Sequence, residues 1–211
     1  MHRQAQLLSS RHSHEIAHQT AFHEAGHVVS IYLGNKEKQL PPVFFQIKLT
    51  RESNQSDILK AQVIDGQLIQ GLPVVVLDNL ADLSDSEKHS YQCAYEADVI
   101  NLLAGPLAEA RYISIRDDEV LNMNLLTTHS LEQYYGGQSD IQKAYAYLEY
   151  FIADPRRREI TMLELFVQAW QFIQEQKNWT CILNLAHYIL DSDKDCITSE
   201  DAIKIIDHCI T

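Results

Sequence analysis

His23-Glu24-Ala25-Gly26-His27 sets two imidazoles four residues apart, with a carboxylate beside the first. On a helix, residues four apart share a face, so both rings reach one metal ion. This is the H-E-x-x-H arrangement of zinc-dependent hydrolases, and the expected cofactor is Zn2+. Glu24 is then the general base that takes a proton from a metal-activated water. A catalytic zinc needs a third protein ligand and keeps its fourth position for water. Leu33 stands six residues beyond His27, which excludes the extended H-E-x-x-H-x-x-G-x-x-H form. The third ligand must therefore come from a distant segment. Acidic candidates are Glu96, Glu109 and Asp140; histidine candidates are His89 and His129. Asp140 opens a helix after Gly136-Gly137-Gln138-Ser139, where free backbone N–H groups favour a charged carboxylate. The plain alternative is that Asp140 or Ser139 only caps that helix. Glu109 lies on a buried helix and needs a partner: the metal, a metal-bound imidazole, or an arginine such as Arg111.

These residues need elements to position them. Ile16, Ala17, Thr20, Ala21, Ala25, Val28, Val29 and Tyr32 form an apolar stripe, predicting a helix over 13–34 that carries the motif. Gly26 within it costs about 1 kcal/mol of helix propensity, which implies a second segment packed close to its backbone. Pro41-Pro42 opens the sheet-containing part, 35–84. A strand is predicted over 43–49 with Phe45, Ile47 and Leu49 on one side, and its edge is a candidate for holding an extended peptide. A second strand is expected at 60–64, and 74–77 is either strand or buried helix. Ser84-Asp85-Ser86-Glu87 reads as a capping box opening a helix to about Ile115. Further helices are expected from Ser139 to about Ile152, over 159–176 and 180–190, and after Thr198-Ser199-Glu200-Asp201, with a short one within 121–131. His14 and His18 repeat the four-residue spacing on the first helix, but read best as a polar helix face. His187, Trp170 and Trp179 read as core or interface residues, and Tyr145, Tyr147 and Tyr150 as packing residues.

Composition narrows the function. Of 211 residues, 45% are hydrophobic, enough for an ordinary core. No apolar run reaches membrane-spanning length, and the N-terminus lacks the apolar stretch of a signal peptide; the expectation is a cytoplasmic protein without a membrane anchor. Cys93, Cys181, Cys196 and Cys209 show no CxxC spacing and read as free thiols. The net charge of -12 argues against nucleic acid or anionic membrane as partner. Arg156-Arg157-Arg158 reads as a solvated turn.

Three segments in order carry a family resemblance. Ala21-Phe22-His23-Glu24-Ala25-Gly26-His27-Val28-Val29 resembles the zinc helix of the FtsH peptidases, the membrane-anchored ATP-dependent zinc proteases of peptidase family M41. Leu103-Ala104-Gly105-Pro106-Leu107-Ala108-Glu109-Ala110 is similar to that family's Gly-Gly-Arg-x-Ala-Glu-Glu helix, matching at Gly105, Ala108 and Glu109. Gly136-Gly137-Gln138-Ser139-Asp140-Ile141-Gln142-Lys143-Ala144 resembles its Gly-Ala-x-x-Asp-Leu-x-x-Ala segment. The resemblance covers roughly 12–155 and continues weakly through 182–206. It implies a mostly α fold with a small β-sheet, a zincin-like FtsH-type peptidase domain over 12–211 with a helical C-terminal part at 156–211. It implies His23, His27 and Asp140 as metal ligands, with Glu109 as the fallback, and Glu24 as the catalytic residue of a zinc metalloendopeptidase. Its substrates would be peptides or unfolded protein segments. Ala104, Pro106 and Ala110 depart from the pattern, and extra residues are expected within 50–90. No Gly-rich phosphate loop occurs in the sequence, so a separate ATPase is the partner expected for work on folded proteins, and a monomer or small oligomer the expected state. The rival readings are a catalytically silent interaction or regulatory module of the same fold, and a zinc amidohydrolase acting on a non-peptide substrate.

Overall fold

A computed structural model describes the backbone of residues 2–52, 58–69 and 84–210, and the side chains of 12–51, 59–69 and 84–210. The expected strand or helix at 74–77 lies outside the described residues, as do 53–57 and 70–83 of the stretch expected to hold extra residues. The first helix, α1, runs His2–Val29, starting well before the predicted residue 13. It then widens into a π-helical turn, Ser30–Gly34, and closes with one α-helical turn, Asn35–Glu37. The wider turn follows the motif directly. There Ser30 Oγ donates to Asn101 Oδ1 at 2.7 Å in the buried interior.

Strands β1 (Phe45–Glu52) and β2 (Ile58–Asp65) pair antiparallel, Ile47 opposite Val63. The predicted alternation holds: Phe45, Ile47 and Leu49 are buried. A third strand, β3 (Cys196–Thr198), was not foreseen. It pairs antiparallel with β1, giving the order β2-β1-β3. This corrects the expectation of a free edge at 43–49: β1 is central, and among the described residues β2 has the open edge. Three residues after a polar Asp-Lys-Asp turn are too few for a periodicity signal, so β3 depends on its partner strand.

Helix α2 (Asp85–Arg116) starts at the predicted capping box: Ser84 Oγ accepts from Glu87 N–H, and Glu87 Oε2 accepts from Ser84 N–H. After it come α3 (Thr128–Tyr134), α4 (Gln138–Phe151), α5 (Pro155–Gln174) and α6 (Gln176–Asp191). The last helix, α7 (Ser199–Ile210), begins where Thr198 Oγ1 accepts from Asp201 N–H.

The core is built on α1 packed against α2 and α6, with β2 laid across α1. Phe22 stacks on Tyr112, ring centroids 4.2 Å apart, and on Trp179 at 5.6 Å. Gly26 is where α1 and α2 come closest. A Cβ there would lie 2.6 Å from the Ala104 carbonyl oxygen and from Ala108 Cβ, so the close neighbour implied by this glycine is α2. His187 is exposed, so it is not a core residue as one of its two readings had it, and it turns its ring edge-on to Phe22. All four cysteines are free thiols. The fold is mostly α-helical with a small three-stranded sheet, and among the described residues no helix is long and apolar enough to cross a membrane.

Candidate metal centre

Three elements converge on one point. His23 and His27 stand on the buried face of α1, Glu109 on α2, and Asp140 in the first turn of α4. The two Nε2 atoms and Asp140 Oδ2 lie close together: His23 Nε2 to Oδ2 is 3.1 Å and His27 Nε2 to Oδ2 is 3.5 Å. Among the described residues this is the one group of three potential ligands, with all ligand atoms within 4.8 Å of one another.

The remaining ring nitrogens decide whether the set fits a metal. His27 Nδ1–H donates to the Asn101 carbonyl at 2.7 Å. A carbonyl only accepts, so this bond fixes the tautomer and turns the Nε2 lone pair toward Asp140. His23 Nδ1–H donates to Glu109 Oε2 at 2.9 Å, the carboxylate–histidine pairing that holds imidazole ligands in orientation. Two Nε2 atoms and one carboxylate oxygen, each oriented from behind, make a donor set suited to a divalent cation such as zinc.

Close packing enforces the arrangement. Gly105 passes against the His27 ring, where a Cβ would overlap the imidazole. Gly136 has φ +63, a left-handed turn that returns the chain to place Asp140 at the start of α4. The Pro106 ring that departs from the family pattern lies under this loop; a Cβ on Gly137 would be 2.9 Å from Pro106 Cβ.

The electrostatics are those of a cation site. Burial by itself lowers the His23 pKa, but hydrogen bonds from Asp140 and Glu109 outweigh it and push it up to about 10. Without a metal, a proton supplies the positive charge the carboxylates demand. Burial raises Asp140, yet His27 and His23 beside it hold its carboxyl well below the usual range. Glu24 is pushed up, chiefly by burial, against the pull of His23, His27 and the Val63 N–H that donates to its Oε2 at 2.6 Å. A raised carboxyl beside a metal site suits a group that must accept and release a proton.

The other candidates fall elsewhere. Glu96 accepts from Gln92, His89 lies against Cys93, and His129 faces Glu132. Glu109 reaches His23 rather than the point where the three ligand atoms meet, and its supposed partner Arg111 instead donates to the Ile173 carbonyl and stacks on Trp179 at 4.3 Å. Sequence reasoning missed Asn101, Asp98 and the Val63 N–H. The first two had a signal: Asp98, Asn101, Gly105 and Glu109 form a polar or small stripe at helical spacing on the otherwise apolar buried face of α2. The Val63 contact had none, because it comes from the backbone.

The arrangement is a zincin-like metal centre, with helical histidines, a distant carboxylate and a buried glutamate at its side. No family model matches the chain, and no curated protein matches it.

Proposed function

We propose that the chain is a zinc-dependent metalloendopeptidase of the FtsH type, acting on peptides or unfolded protein segments. The reading takes 12–211 as the peptidase domain, with an ATPase activity as what would present folded proteins to it. The observation that carries it is the meeting of His23 Nε2, His27 Nε2 and Asp140 Oδ2 beside buried Glu24. A zinc ion held there would supply a Lewis acid and make a water acidic near neutral pH. Glu24 accepts the proton from the attacking water and delivers it to the leaving nitrogen. Glu109 and Asn101 keep the two imidazoles aimed.

Substrate reaches these groups through a cleft of about 530 Å3, walled by α1, β2 and the start of α4. The open edge of β2 supports an extended peptide there. Val63 N–H points away from β1 toward Glu24, and strand alternation turns the backbone of Ala61 and Asp65 the same way.

The test pairs metal analysis with cleavage of casein by the native chain and by Glu24→Gln. One zinc per chain, with cleavage lost only in the variant, is the expected result. A chain that takes up no zinc, or cleavage that survives Glu24→Gln, overturns the reading.

A further inference from the structure

Three lysines line the cleft of an acidic molecule. The chain as a whole carries 29 acidic and 17 basic residues. Apart from Glu24 and the metal cluster, the charged lining of the cleft is Lys48, Lys60, Lys143, Asp65 and Asp98. Asp98 is turned inward: its two oxygens accept from Leu68 and Ile69 N–H. Lys48 lies on the exposed face of β1, beside Gln62 of β2. Lys143 lies across the cleft on α4, one turn beyond Asp140. Among the described residues neither lysine has a carboxylate partner.

Two cations without partners, on opposite walls of a cleft in an acidic protein, call for a counter-charge from what binds there. We infer that the cleft selects peptides with acidic side chains flanking the central segment, read by Lys48 from the sheet wall and by Lys143 from the helix wall. The inference takes the cleft of the proposed peptidase as the binding site. The net charge of -12 permits a basic or neutral substrate without demanding one, and the two cleft lysines point the other way. Both lysines are exposed, so the attraction is partly screened and acts as a preference that salt weakens.

The experiment separates selection from catalysis. Labelled short peptides share one apolar centre and are flanked by Glu, Gln or Lys. Their binding to zinc-loaded Glu24→Gln protein is measured by fluorescence anisotropy at low and high salt. The Glu-flanked peptide should bind about tenfold more tightly than the Lys-flanked one at low salt, with the gap narrowing at high salt. Adding Lys48→Glu and Lys143→Glu should reverse the order; circular dichroism and zinc content check that this variant is folded and loaded. Equal affinities, an order unchanged by the two substitutions, or no binding of any peptide overturns the inference. Cleavage by the native chain reads the peptidase claim separately. Selective binding without cleavage would sink the peptidase and leave the selection standing. Equal binding with cleavage of all three would do the reverse.

Discussion

Helix α1 carries two histidine pairs with identical spacing, His14 with His18 and His23 with His27. The rings of the first pair are 4.4 Å apart and those of the second 4.8 Å. Spacing and approach therefore do not distinguish them; their surroundings do. His14 is exposed, and His18 stacks on Tyr112 at 5.9 Å, with no carboxylate hydrogen-bonded to either ring among the described residues. His23 and His27 are buried, and each has its Nδ1–H held from behind and its Nε2 facing Asp140. A four-residue spacing brings two nitrogens together; the groups behind and opposite them make a metal site.

The largest effect should come from exchanging the pairs' fates. Replacing His23 and His27 by Ala removes two of three ligands and should abolish stoichiometric zinc, whereas the same change at His14 and His18 should leave one zinc per chain by metal analysis. Gly105→Ala should come next, because the new Cβ overlaps the His27 ring. Such overpacking costs about 1–3 kcal/mol, so both the melting temperature and zinc affinity should fall; a variant with unchanged affinity would show that ring position is not what the glycine protects. Glu109→Gln keeps the shape but weakens the support behind His23, and should cost about 10- to 100-fold in zinc affinity by competition with a chelator.

Acidity sharpens the contrast further. His23 in the metal-free protein holds a proton up to about pH 10, and a metal bound there would displace it. Affinity at the buried pair should therefore rise about tenfold per pH unit across neutrality. His18 is shifted the other way, lowered by burial and by His14 and His187; with no proton to displace at neutral pH, any weak binding it gives should be flat there. The sign for stability follows. The raised His23 stabilises the metal-free fold fully below its unfolded value of about 6.5, and that contribution is lost as pH rises through about 10. Chelator-treated protein should lose melting temperature over that window, and His23→Ala should remove this part of the slope. The smallest effect is expected for His14→Ala alone, within about 0.5 kcal/mol by thermal melting.

The sequence made much of this legible where the signal was local. The helix carrying the H-E-x-x-H motif, the capping box at Ser84, the buried alternation at Phe45, Ile47 and Leu49, and the helix carrying Asp140 all rest on short-range periodicity or capping. What escaped came from pairing across the chain. Strand β3 exists because β1 offers it a partner, and its arrival closes the edge that 43–49 was expected to leave open. Val63 reaches Glu24 through its backbone, which no side-chain pattern reports. The role of Glu109 was narrowed to three partners by sequence, and only distance chose His23 among them. The core reading of His187 rested on its neighbours Ala186 and Tyr188; Ala186 is buried, while His187 is exposed with one ring edge against Phe22.

The centre joins positions far apart along the chain: His23 meets Glu109 across 86 residues and Asp140 across 117. During synthesis the motif helix leaves the ribosome long before its partners exist. At about 5–20 residues per second, several seconds separate the appearance of His23 from that of Asp140. In that interval Glu24 has no group of three potential ligands beside it, so a nascent chain carries the motif without the complete cluster. The long sequence separation acts as a built-in delay: the three potential ligands can meet only after Asp140 has been made.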